Sequence, residues 1–260
     1  MNSRLQTLVS AVNQDIETIA QRMHLEGDAI VINQCQENTY HEYEYHGNRI
    51  QCYSFAEKGV GLSRTNALLR ATAEICLFSD EDIIYEEGYA ERILQEFDRH
   101  PEADMLLFNM KVGETRATYH TEKYHRVHIY NAGRYPTYSF AIRREKMHRA
   151  NVTFSLLFGG GAPYSNGEDS LFLKDCLKKG LRVYAVPVNL GSETERESTW
   201  FSGYHEKFFY DRGVLYHYLY GKLAGIMAWR FLLAHGKVMC QDISLKQAIR
   251  LMKDGIRSQK

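Results

Sequence analysis

Short apolar runs alternate with amphipathic stretches over residues 5–112, and few architectures can use such an order. LQTLVSAV (5–12), DAIVIN (28–33), NRIQCYSF (48–55), EICLFS (74–79) and ADMLLFNMKV (103–112) read as strands. Between them, QDIETIAQRMHL repeats apolar residues at helical spacing: Ile16, Ile19, Ala20 and Met23. GLSRTNALLRATA reads as a helix with Ser63 as its cap candidate, and EGYAERILQEFDRH as an amphipathic helix stopped before Pro101. Strands alternating with helices predict an α/β fold, a mostly parallel central sheet flanked by helices. Ligands of such sheets bind beyond the carboxyl ends of the strands. Asn33, Ser54 and the acids after Phe78 therefore share one rim.

Residues 113–150 are rich in Tyr, His and Arg, and predict antiparallel strands or long loops rather than helices. FGGGAPYSNG (158–167) predicts a mobile loop, since three successive glycines favour conformational freedom. EDSLFLKDCLKKG then reads as a helix closed by glycine, and LRVYAVPV as a late strand. From about Trp200 the chain turns helical and aromatic. This divides it into residues 1–200 and a C-terminal helical extension, 201–260. Lys222 and Arg230 interrupt the apolar run there, making it a poor membrane span. It is expected to pack on the core, form a homodimer, or lie peripherally on a bilayer surface.

The 260 residues balance 32 Lys and Arg against 32 Asp and Glu, which argues against nucleic acid as a partner. Five cysteines, at 35, 52, 76, 176 and 240, form no CxxC pair and fit buried thiols in a reducing cytoplasm. The first residues lack the long apolar core of a secretion signal, so the expected location is cytoplasmic.

Two acidic motifs carry the chemistry. Ser79-Asp80-Glu81-Asp82 closes a buried strand, where adjacent like charges are costly unless something positive compensates them. Asp80 and Asp82 can converge on one hard cation, Mg²⁺ or Mn²⁺, and leave coordination sites for phosphate oxygens. A solvated turn is the plain alternative. Gly167-Glu168-Asp169 opens a helix at a loop edge, where a carboxylate can serve as general base or simply cap the helix. The histidines at 120, 125 and 128 alternate with Tyr and Arg as on a polar strand face.

The order of these pieces, with KGVGLSRTNALLRATAEICLFSDEDI before GED and a strand ending in Pro187, resembles the family 2 glycosyltransferases of the GT-A fold. Gly61, Arg64 and Asn66 match that family's Gly-x-x-x-Ala-Arg-Asn segment loosely. The resemblance implies a metal-assisted, inverting transfer of a sugar from a nucleoside-diphosphate donor, with a UDP-sugar as the first choice. The acceptor would be a glycan or lipid-linked hydroxyl in polysaccharide building. It maps the metal acids onto Asp80 and Asp82, the base onto Asp169, and its helper onto Glu168. Arg64 is a candidate for the diphosphate or for a salt bridge to the acidic turn. The family's acid after strand two is missing, so Asn33 or Gln34 would have to read the nucleobase. Ser198, Trp200 and His205 fall where a closing loop reaches the diphosphate, Trp200 to stack on a sugar and His205 as a further metal candidate. A non-catalytic sugar-nucleotide-binding or assembly protein of the same fold is the alternative.

Overall fold

The computed structural model describes residues 3–113, 119–194 and 203–259. β1 (Leu5–Val12) runs through α1 (Ile19–Met23) into β2 (Asp28–Gln34). There follow β3 (Thr39–Tyr45), β4 (Asn48–Phe55), α2 (Val60–Arg70), β5 (Ile75–Asp80), β6 (Ile83–Tyr85), α3 (Tyr89–Arg99) and β7 (Met105–Lys111). The middle holds β8 (His125–Arg126), a 3-10 turn at Thr137–Ser139, β9 (Phe140–Arg143) and α4 (Arg144–Ala150). α5 (Glu168–Lys178) and β10 (Val183–Glu193) complete the sheet layer, and α6 (Glu206–Tyr220), α7 (Ala224–Met239) and α8 (Leu245–Arg257) form the extension.

The described strands join one sheet in the order β3-β4-β2-β1-β5-β9-β7-β10-β6, with β8 alongside β10. The expected parallel pairing holds for β4-β2-β1-β5 and for β7 with β10. Antiparallel β9 is inserted between β5 and β7. Period-two alternation puts Val9, Val31 and Leu77 into the core under α1 and α3. Leu8, Ile30, Ile32, Cys76 and Phe78 enter the core under α2 and α5. Covering both faces explains why these strands read as nearly unbroken apolar runs.

Three local readings change. TYHEYEY is a strand, β3, at the sheet edge; both of its faces are largely exposed, so no hydrophobic period marked it. The turn that sets its register is His46-Gly47, both at positive φ, as a two-residue hairpin requires. Ser63 is not the cap of α2. The helix starts earlier, after Gly59, and Ser63 points inward to accept a hydrogen bond from Ser10 Oγ at 2.7 Å. Residues 144–150 are helical, contrary to the strand-or-loop expectation for the middle, with Met147 buried under the turn. The segment 158–167 is closed by backbone bonds between Gly159 N and Tyr164 O (2.9 Å) and between Tyr164 N and Leu157 O (3.0 Å).

The extension has its own core, built on Phe208, Phe209, Val214, Leu215, Leu232 and Met252, and it takes in Phe158 and Leu171 from the preceding chain. α6 and α8 touch backbone to backbone. A Cβ at Gly213 would stand 2.2 Å from Met252 O, and one at Gly255 would stand 2.2 Å from Tyr210 O. All five cysteines are free thiols; Cys52, Cys76 and Cys176 are buried, whereas Cys35 and Cys240 are half-exposed. Among the described residues no helix is long and apolar enough to cross a membrane.

Candidate functional site

Strand register assembles the rim. Asn33 lies beside Ala11 and Ser54, while Asp80 lies beside Ser10 at the end of β5. The chain then turns at Glu81 and Asp82 into β6, which pairs with the end of β10. Thr194 secures the turn, donating to Asp82 O from its backbone N (2.8 Å) and from Oγ1 (3.1 Å). A Cβ at Gly191 would sit 2.2 Å from Ile84 O, so only glycine lets β10 approach the acidic turn this closely.

Arg64, on α2, is buried and answers the charge question raised by the acids. Its Nη2 donates to Asp80 Oδ1 (2.8 Å) and Oδ2 (3.1 Å), and its Nη1 donates to Glu168 Oε1 (2.9 Å). The two acidic motifs, far apart in sequence, thus meet at one guanidinium. The neighbouring carboxylates raise the Arg64 pKa against the opposing effect of burial. Its guanidinium also faces the Phe154 ring, 5.7 Å from the centroid, and that ring stacks flat on Phe172 of α5.

Glu168 is held from a second side by the loop. Gly159 has φ of 103°, and a Cβ there would lie 2.9 Å from Glu168 Oε2 and 2.6 Å from Val60 Cγ1. Gly160 O accepts from Val60 N at 2.9 Å, and Ser165 N donates to Asp211 Oδ2 at 2.9 Å. Gly159 and Gly161 therefore serve left-handed backbone, and Gly159 close approach as well, at least as much as freedom of movement.

Asp169 is different: no described cation pairs with it directly. Its Oδ1 accepts from Ser170 N at 2.6 Å, and the preceding Gly167 occupies the cap position. Burial, and next the charge of Glu168, push its pKa up to about 6. A carboxylate so tuned can exchange a proton near neutral pH.

The two nucleobase candidates are latched. Asn33 Oδ1 accepts from Gln14 N (3.0 Å), and Asn33 Nδ2 donates to Gln14 O (3.1 Å). Gln34 Oε1 accepts from Gly59 N at 2.6 Å, which leaves its Nε2 without a partner among the described residues. Asn66 donates to Glu57 and so supports α2 rather than the rim.

Asp80 and Asp82 offer hard oxygen donors one residue apart. Among the described residues no three His, Cys, Asp or Glu side chains converge as a metal cluster; the third metal candidate is His205. It flanks the start of α6, whose position is set by buried Phe208 and Phe209. Two carboxylates completed by substrate phosphates is nevertheless the usual Mg²⁺ arrangement, and this donor set fits it. His125 is used structurally, between Lys123 O (2.8 Å) and Tyr135 OH (3.1 Å). Ser198 and Trp200 lie outside the described residues.

One residue near this site escaped the sequence reading. Arg212 of α6 is half-buried between the Phe208 and Phe231 rings, on the helix that packs against α5. Its signal was hidden, because a single Arg in an aromatic helix looks like any surface residue.

Residues 5–165 match the family described as Glycosyl transferase family 2. The fold is similar to that of S. aureus TarS residues 1–349 crystallised with UDP-GlcNAc, at TM-score 0.66 and 16% identity, covering 98% of this chain and 81% of that one. The same TarS fragment without ligand gives TM-score 0.65 at 14% identity, with the same coverage. Its complex with UDP gives 0.60 at 14%, covering 92% and 74%. No curated protein matches the chain.

Proposed function

Because the chain belongs to glycosyl transferase family 2, we propose that it transfers a sugar, with inversion, from a nucleoside-diphosphate sugar to a hydroxyl of a glycan or lipid-linked acceptor in polysaccharide building. The observation that carries this reading is the Arg64 bridge, which brings the Asp80 end of β5 and the Glu168-Asp169 start of α5 to one cleft. UDP is the favoured carrier, since the similar TarS fold was crystallised with UDP and with UDP-GlcNAc.

Asp169 is the base. The acceptor oxygen forms a bond to the anomeric carbon as the bond from that carbon to the diphosphate oxygen breaks. The acceptor proton passes to Asp169, and the electron pair leaves with the diphosphate. Glu168, fixed by Arg64 and Gly159, orients the reacting groups. Asp80 and Asp82 would hold Mg²⁺ or Mn²⁺, which supplies electrostatic stabilisation of the leaving diphosphate. Gln34 Nε2 is the available donor for the nucleobase, with Asn33 fixing the strand end beside it. Trp200 is assigned to the donor sugar.

Residues 1–200 form the catalytic unit and 201–260 the helical extension. Ile226, Trp229 and Leu233 of α7 are exposed, and the helix carries Arg230 and Lys237 with no acidic residue. Such a face suits the anionic inner face of a cell membrane or a second copy of the chain.

A panel of nucleotide sugars tests the function through thermal stabilisation with and without Mn²⁺ and release of nucleoside diphosphate on turnover. The reading predicts metal-dependent stabilisation by one donor class, with hydrolysis or transfer. Binding with no turnover toward any acceptor pool would favour the non-catalytic alternative.

A further inference from the structure

The extension contains a cation, Arg212, that forms no salt bridge among the described residues. Arg212 Cζ lies 5.1 Å from the Phe208 ring centroid and 5.2 Å from that of Phe231, so two rings from α6 and α7 clamp the guanidinium. Its Nε is buried and has no hydrogen-bond partner among the described residues. The adjacent acid is spent elsewhere: Asp211 accepts from Lys207 Nζ at 2.6 Å and from Ser165 N at 2.9 Å. Among the described residues no carboxylate pairs with Arg212, although burial works against its charge.

Aromatic faces offset part of the cost of a half-buried cation, but they do not fill the donor fork of a guanidinium. That fork matches carboxylate and phosphate oxygens in two-point contacts. Arg64 also has a buried Nε without a partner, but both of its terminal nitrogens are already committed, Nη2 to Asp80 and Nη1 to Glu168. The two cations also reach the site from different elements. Arg64 stands on α2 at the donor-side acids, whereas Arg212 stands on α6 where that helix packs on the start of α5: its neighbour Asp211 holds Ser165 N at 2.9 Å, and a Cβ at Gly167 would lie 2.5 Å from Leu215.

We propose that Arg212 binds an anionic oxygen of the acceptor, a phosphate or carboxylate carried close to the hydroxyl that Asp169 deprotonates. The proposal rests on the reading of Asp169 as base, and it defines the acceptor class as negatively charged. A neutral glycan would leave the fork empty.

The test is a titration of inorganic phosphate into the wild-type chain, Arg212→Gln and Arg212→Lys. Each is measured free and loaded with UDP and Mn²⁺, with UDP affinity and melting temperature recorded alongside. Loading fills the donor's phosphate positions, so any remaining phosphate site is a separate one. Phosphate should bind the loaded wild type and weaken about tenfold in Arg212→Gln, the loss of one or two charge-assisted hydrogen bonds. Arg212→Lys, which keeps the charge and loses the fork, should fall between. UDP affinity should stay within about twofold in all three.

Phosphate binding equally to wild type and Arg212→Gln, or failing to bind the loaded wild type, overturns the proposal. A drop in UDP affinity with loaded-state phosphate binding unchanged assigns Arg212 to the donor and also overturns it. A lower melting temperature alone reduces Arg212 to a clamp between α6 and α7. If UDP does not bind the wild type, the donor reading fails separately, while dependence of phosphate binding on Arg212 is still read in the unloaded protein.

Discussion

Arg64 donates to Glu168 across 2.9 Å although 104 residues separate them, and its other terminal nitrogen is committed to Asp80. The acids at the rim are tolerable in the free protein because this buried guanidinium stands between them. A cation bound with a diphosphate would add to that compensation rather than supply all of it.

Arg64→Met should therefore leave two partly buried carboxylates without a counter-charge. The expected loss is on the order of 3 kcal/mol at pH 7, tempered by the partial exposure of Asp80. Denaturant melts of the variant and the wild type at pH 7 measure this loss; a variant as stable as the wild type would contradict it.

Asp169 gives a pH dependence of known sign. Its folded pKa of about 6 lies above the ordinary 3.8, so the folded chain binds more protons than the unfolded one between those values. Stability falls as pH rises through that window, and the penalty persists above it. Activity runs the opposite way, rising to a plateau through about pH 6 as the base ionises. Asp169→Asn should melt no lower than wild type at pH 7.5, yet lose roughly 10²–10⁴-fold in single-turnover transfer with donor affinity nearly unchanged. Calorimetric melts and rapid-quench assays on the same preparation decide this. A lower melting point with normal turnover would return Asp169 to helix capping.

The docking of α8 on α6 hangs on two glycines. Gly255→Ala forces a methyl into Tyr210 O and should cost about 1–3 kcal/mol. Gly225→Ala on α7 meets open space, so it should be neutral or stabilise by up to about 1 kcal/mol. Chemical denaturation of both variants tests the contrast.

The sheet was legible because its strands are buried on both faces and its helices on one. β3 was not, because an exposed edge strand is fixed by its His46-Gly47 turn and not by burial. Ser63 misled as a cap because its hydroxyl looks inward to Ser10, a contact no local pattern encodes. The acid pairs stood out in the sequence; their meeting at Arg64 did not, being a product of where α2 and α5 end. Arg212 was invisible for the same reason, since its surroundings come from two different helices and from α5.

The exposed α7 face separates its two occupants by experiment. Trp229→Glu with Leu233→Glu should abolish sedimentation with vesicles rich in anionic lipid if a bilayer covers it. If a second copy covers it, the same double variant should instead shift the mass measured by light scattering, with vesicle binding absent from the start.

Calorimetric titration of UDP into wild type and Asp82→Asn, each with and without Mn²⁺, is the most direct measurement of the acidic rim's role. The account predicts that Mn²⁺ strengthens UDP binding to the wild type by tenfold or more. It predicts that Asp82→Asn loses this increment while melting within a few degrees of the wild type. UDP binding that ignores both the metal and the substitution, or no UDP binding at all, would contradict it.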